Sequence, residues 1–214
     1  MCYSKEVSRN NFIINVITCY ILYNSQIKDN KILAIFFGFV GLMQLFDWIF
    51  WETQRGFRPP TTETALQINF IFTKIAMIVN HLQPIVFALA IYYFNGKLGE
   101  YSRVLLLVYS IVALMYSISI YNKIDYTKEK LEPSGKSTLY WQWNSKNNNT
   151  IVYLLFVCLL GLLAYENISY PVNIIVVAIN FVTFFVAYDK NTNVGRYWCA
   201  WSSLIPLFLL FIKI

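Results

Sequence analysis

Residues 32–51 read ILAIFFGFVGLMQLFDWIFW, with one charged side chain, Asp47, four residues from the end. As an α-helix a run of this length rises about 30 Å, the thickness of a bilayer's hydrocarbon core. It closes on Trp48 and Trp51 followed by Glu52, the aromatic belt expected where a helix leaves lipid. Read outward from this stretch, the chain is a series of apolar runs joined by short polar gaps.

Upstream, Phe12–Tyr23 is apolar over about a dozen residues, so a first span at about 10–24 is expected, with an interfacial helix as the alternative. Lys5 and Arg9 precede it as in a signal peptide, but Asn24-Ser25-Gln26 offers no small-residue cleavage site and the segment reads as retained. Downstream, Arg55, Arg58 and Pro59-Pro60 mark a loop, and the Thr-Thr-Glu that follows starts a helix over about 65–94. That helix is longer than a bilayer needs, which implies tilt, a kink at Pro84 or extension beyond the membrane. Further spans are expected at about 104–121, 151–165, 172–188 and 197–213, the last carrying Pro206 as a second kink. Residues 123–150 form the one long polar loop, with Trp141 and Trp143 two apart. The reading is all-α: a single transmembrane domain, 1–214, of about seven helices.

Composition agrees with this. Of 214 residues 57% are apolar and 13% charged, against about 25% charged in a soluble domain. The net charge of +6 is scattered through the polar gaps, so lipid headgroups and not nucleic acid are the expected partner. If seven runs span, the N-terminal side holds eleven Lys and Arg (5, 9, 55, 58, 123, 128, 130, 136, 146, 190 and 196) and the other side five (28, 31, 97, 103 and 213). The positive-inside rule then puts the N-terminus in the cytosol. The four cysteines, 2, 19, 158 and 199, show no CxxC spacing, and no disulfide framework, metal site or cofactor is expected.

Polar side chains inside apolar runs are expensive in lipid and so mark sites or helix contacts. Gln67, Lys74 and His81 recur every seven residues and share one face of the third helix, while Asn80 and Gln83 lie on other faces, which predicts a helix surrounded by protein. On the second helix Gln44 and Asp47 share a side, and a buried Asp47–Lys74 ion pair is feasible across the connecting loop. Tyr109 and Tyr116, with Ser110 and Ser117 beside them, then Asn173 and Asn180, then Trp198 and Ser202 extend the set to five helices whose polar groups either converge on one cavity or bond helix to helix. Leu82-Gln83-Pro84-Ile85 and Leu204-Ile205-Pro206-Leu207 occupy matching places if helices one to three repeat as five to seven, an arrangement found in transporters.

Several functions are excluded. The final helix has only Lys213, too near its end for a retinal Schiff base, and one histidine cannot make a two-histidine metal motif. No serine–histidine catalytic motif is present, nor an Asp-Arg-Tyr or Asn-Pro-x-x-Tyr element of the common G-protein-coupled receptors, and no catalytic residue is assigned.

The segments Gln67-Ile68-Asn69, Thr73-Lys74, Leu82-Gln83-Pro84, Tyr140-Trp141-Gln142-Trp143 and Gly195-Arg196-Tyr197-Trp198-Cys199 resemble, in that order, a family of uncharacterised seven-helix membrane proteins encoded mainly by large DNA viruses and some protists. The resemblance covers about residues 40–210. It implies the seven-helix fold and singles out Lys74, Gln83, Pro84, Trp198 and Cys199, but brings no activity. Where that family often has a histidine before its loop tryptophans, this chain has Leu139-Tyr140. The expectation is a polytopic membrane protein whose polar interior binds or passes a small solute or ion, with Asp47, Lys74 and His81 as its ionisable groups. A receptor-like or scaffolding bundle is the alternative, and a lipid-modifying enzyme the third reading.

Overall fold

The computed structural model describes residues 4–53, 62–124, 150–169, 172–174, 176–178, 182 and 201–211, and all regular structure among them is helical. The helices are α1 (Lys5–Tyr23), α2 (Lys28–Thr53), α3 (Glu63–Asn95), α4 (Glu100–Tyr121), α5 (Thr150–Asn167) and a short α6 (Ile205–Leu209). Four of these, α2 to α5, are long and apolar enough to cross a membrane, consistent with an integral membrane protein.

Local chemistry sets the helix ends. Ser4 Oγ accepts from the Val7 amide at 3.2 Å to open α1, and Thr62 Oγ1 accepts from Ala65 at 3.3 Å to open α3, each satisfying one of the donors left unpaired in a first turn. At its far end α3 stops on Gly96, whose φ of +73° is the left-handed conformation that glycine adopts without a Cβ penalty; the Gly96 amide donates to Tyr92 O at 2.8 Å.

Side-chain contacts fix the helices as antiparallel neighbours. Lys5 and Glu52 form an ion pair at 2.6 Å between the start of α1 and the end of α2. Phe36 stacks on Phe87 at 4.3 Å, and Phe46 meets Phe72 at 6.1 Å, between α2 and α3. The α1–α2 contact is close because α2 presents glycine: a Cβ on Gly41 would fall on the Asn15 amide, and Gly38 faces Cys19. Small residues let membrane helices approach to within van der Waals contact along their length. Asn15 then donates from Nδ2 to Ser203 O at 3.0 Å, tying α1 to the C-terminal segment.

The excess length of α3 lies at its N-terminal end. Asn69 reaches Thr53, the last residue of α2, at 3.5 Å, and Lys74 lies over Tyr121, the last residue of α4. The first turns of α3 therefore run about 10 Å past its neighbours. Pro84 sits inside α3 without ending it, its missing amide leaving the Asn80 carbonyl without its usual helical donor. At the opposite end of the bundle the termini are joined by polar groups. Glu166 of α5 accepts from the Ser102 amide at 2.9 Å and its hydroxyl at 2.6 Å, thereby capping α4, which has no side-chain cap of its own. Asn167 accepts from the Gly99 amide at its side-chain oxygen at 3.0 Å and from Asn95 Nδ2 at its backbone carbonyl at 3.2 Å, and Asp29 of α2 accepts from the Ser169 amide at 2.8 Å.

Two expectations change. The third helix is not enclosed by protein: Ile71, Ile75, Ile78, Leu82 and Leu89 make an exposed apolar stripe along α3. Pro206 does not kink a continuous final helix. A turn at Ser203–Leu204 interrupts the chain and Pro206 lies in the first turn of α6, where its lost amide would have had no helical partner. Asn180, Trp198, Cys199 and the loop tryptophans lie outside the described residues.

Substituting Gly41→Val should lower stability by about 1–3 kcal/mol through overpacking, and the penalty should shrink in an Asn15→Ala background; unfolding of the four proteins of this cycle in micelles measures the coupling. Glu166→Ala should cost about 1–2 kcal/mol, the scale of a lost helix cap, with Ser102→Ala costing less in the same unfolding assay.

Candidate functional site

The single histidine is where the polar groups of three helices meet. His81, on α3, is 4% exposed. Its Nδ1 lies 2.8 Å from Ser117 Oγ of α4, as donor or acceptor according to tautomer. Its Nε2 is buried and has no hydrogen-bond partner among the described residues. Its backbone carbonyl accepts from the hydroxyl of Tyr109, also on α4, at 2.7 Å. The Tyr116 ring stands edge-on to the imidazole at 5.4 Å and 71°, and Tyr153 of α5 lies at 6.4 Å. Behind this group Asn80 donates to Tyr153 Oη at 3.4 Å.

Helical spacing explains the convergence. Tyr109 and Tyr116 are two turns apart on one face of α4, and Ser117 follows Tyr116. One reaches the backbone of His81, the second its ring face, and the serine its Nδ1. The sequence pattern had therefore marked His81, Asn80, Tyr109 and Tyr116, and the structure brings them together. Ser117 was legible as a neighbour of that pair, but Tyr153 sits in an uninterrupted apolar run and carried no signal.

Beside this group lies a groove of about 540 Å³ between α3 and α4. Met77, Ile78, Leu82 and Ile85 form one wall, Ala113, Leu114 and Ile118 the other, with His81, Ser110 and Ser117 as polar points and Tyr121 and Asn122 at one end. Ile78, Leu82, Leu114 and Ile118 are exposed, so the groove opens through its side onto the outer surface of the bundle.

The other predicted residues that the structure describes do not line the groove. Gln67 is exposed on the overhanging turns of α3. Lys74 does not turn to Asp47: its ammonium lies 4.3 Å from the Phe70 ring centroid and 3.9 Å from that of Tyr121. Rotation along α3 is the reason: Asn69 faces α2, where it bonds Thr53, and Thr73 bonds back to Asn69 on that side, whereas Lys74, one residue further round, faces Tyr121 of α4. Gln44 and Asp47 are buried on α2, as is Gln83 on α3, and none of them lines the groove. Ser202 is buried, and Asn173 is half-buried, its Oδ1 accepting from the Ile174 amide at 2.7 Å. Among the described residues the candidate site is thus built by α3 and α4, backed by Tyr153 of α5. Among the described residues no three His, Cys, Asp or Glu side chains gather into a metal site.

No protein-family model, curated protein or solved structure matches the chain.

Tyr109→Phe removes the bond to the His81 carbonyl without changing shape. Its expected cost is about 0.6 kcal/mol, the mean for interhelical hydrogen bonds in membranes, read from unfolding in micelles beside the wild type.

Proposed function

We propose that this chain is a multi-pass membrane protein of about seven crossings with a cytosolic N-terminus, and that the groove between α3 and α4 binds a small lipophilic solute as the first step of its recognition or translocation. The seven-helix resemblance and the Lys and Arg distribution support the topology.

The observation that carries the binding reading is His81: a 4%-exposed imidazole with one nitrogen held by Ser117, the other without a partner among the described residues, on an otherwise apolar groove. An ionisable side chain at this depth is costly and normally faces a partner or a cavity. A volume of about 540 Å³ falls inside the range of about 300–1,000 Å³ typical of small-molecule sites, which are mostly apolar with a few placed polar groups. The exposed apolar walls give a solute a route in from the hydrocarbon, and the His81–Ser117 pair offers a hydrogen-bonding point within it. The scaffold reading has its own support in the Tyr109–His81 and Asn80–Tyr153 bonds, which join α3 to α4 and α5.

The test uses the full chain in liposomes and in micelles, with wild type, His81→Gln and Ser117→Ala compared against protons, common cations and anions, and small lipophilic molecules bearing a hydroxyl or carbonyl. Saturable binding or flux of the lipophilic class is expected, weakened about tenfold by loss of one hydrogen bond in either variant. Neither binding nor flux in the wild type, with His81→Gln lowering only the melting temperature, would leave the polar groups as links between helices.

A further inference from the structure

A cation stands just beyond one end of the same groove, against its lining residue Tyr121. Lys74 is one stripe position before His81 on α3, about 10 Å nearer the helix N-terminus. It is half-buried, and its ammonium lies over two aromatic rings, Phe70 and Tyr121. Tyr121 is itself a lining residue of the groove's end, beside Asn122. Aromatic faces attract a cation without neutralising its charge, no carboxylate among the described residues lines the groove or pairs with Lys74, and Lys123, just past the end of α4, is exposed and also positive. A cation thus stands beside the Tyr121 end of the groove, a hydrogen-bonding pair lies at its middle, and its walls beyond are hydrocarbon.

On the reading of the groove as a binding site, we propose that its occupant is a single-chain anionic amphiphile: an acid head at Lys74, Tyr121 and Asn122, an apolar tail along Ile78, Leu82 and Ile85, and a hydroxyl or carbonyl about 10 Å down the chain at His81 and Ser117. The geometry selects one chain. From Lys74 to Ile85 is about 16 Å along the helix, and a cavity of about 540 Å³ suits one chain with its head rather than the two chains of a phospholipid. Depth agrees as well, since Lys74 is level with the last residue of α4, where an ionised head meets water or lipid headgroups while its tail stays in the hydrocarbon.

The full chain is placed in discs of neutral lipid, and binding is measured by equilibrium dialysis for four probes: a mid-chain hydroxy fatty acid, the parent fatty acid, the methyl ester of the hydroxy acid and an alkyl-trimethylammonium of the same length. The hydroxy acid should bind most tightly, and its ester about tenfold or more weakly, as befits loss of a charge-assisted bond. The cationic probe should not compete. Lys74→Gln should bring the acid down to the level of the ester while leaving ester binding unchanged, and Lys74→Arg should restore the difference. His81→Gln should erase the preference for the hydroxy acid over its parent. Equal binding of acid and ester by the wild type would overturn the anionic assignment and leave the groove reading intact, whatever the stability of the variants. Displacement of the bound acid by phosphatidylglycerol added to the disc would replace the single chain with a two-chained lipid. Binding of none of the probes would sink both this assignment and the groove reading.

Discussion

Hydrocarbon supplies no hydrogen-bond partners, so each polar group that enters it must be satisfied by the protein or by what the protein binds. The arrangement of this bundle follows from that constraint. Glu166, Asn167, Asn95 and Asp29 are gathered at one end, where they bond helix termini and each other's backbones. A carboxylate at the start of α4 is favoured twice, by the free amides of the first turn and by the helix dipole. Deeper in the bundle, polar contacts join helix to helix: Tyr109 to a carbonyl of α3, Asn80 to Tyr153, His81 to Ser117.

Because lipid tails are as apolar as leucine, burial of apolar surface does little to drive helices together inside a bilayer, and shape must do more. This explains the weight placed on Gly41 and Gly38, which let Asn15 and Cys19 come close, and on the Phe36–Phe87 stack. It also explains Lys74. A half-buried cation over two aromatic faces is stabilised by the ring quadrupoles without the desolvated partner that an ion pair with Asp47 would demand.

The apolar runs at 32–51, 65–94, 104–121 and 151–165 each fall within one helix, α2 to α5, because a run long enough to cross a bilayer is a signal that needs no partner to be read. Side-chain direction was legible only in part. The seven-residue spacing of Tyr109 and Tyr116 does put both against His81, since spacing along one helix fixes a shared face. What spacing cannot fix is which neighbour that face meets. The same stripe of Gln67, Lys74 and His81 that reads as one polar lining passes from an exposed overhang, through an aromatic clamp, into the bundle. Lys74, which could have reached Asp47 across the loop, faces Tyr121 of α4 for the same reason. The latch formed by Glu166 and Ser102 joins residues 64 apart in the chain, and no local pattern announces a bond of that kind.

The position of the groove has a simple origin in α4. Its buried residues are Ser102, Tyr109, Ala113 and Ile120, spaced seven, four and seven apart, which is the narrow seam of a helix that touches its neighbours along one line. The outward side chains on either side of that line, Leu107, Ile111, Leu114, Met115 and Ile118, are exposed. A helix held by so thin a seam leaves a furrow beside it wherever the adjoining helix also turns apolar side chains outward, and α3 does so at Ile78 and Leu82. The furrow acquires chemistry only because His81 and Ser117 meet at its edge and Lys74 stands near its end. The same seam that makes α4 loosely packed is therefore what makes room for a ligand, and the hydrogen bonds that cross it are the ones a ligand in the groove would feel.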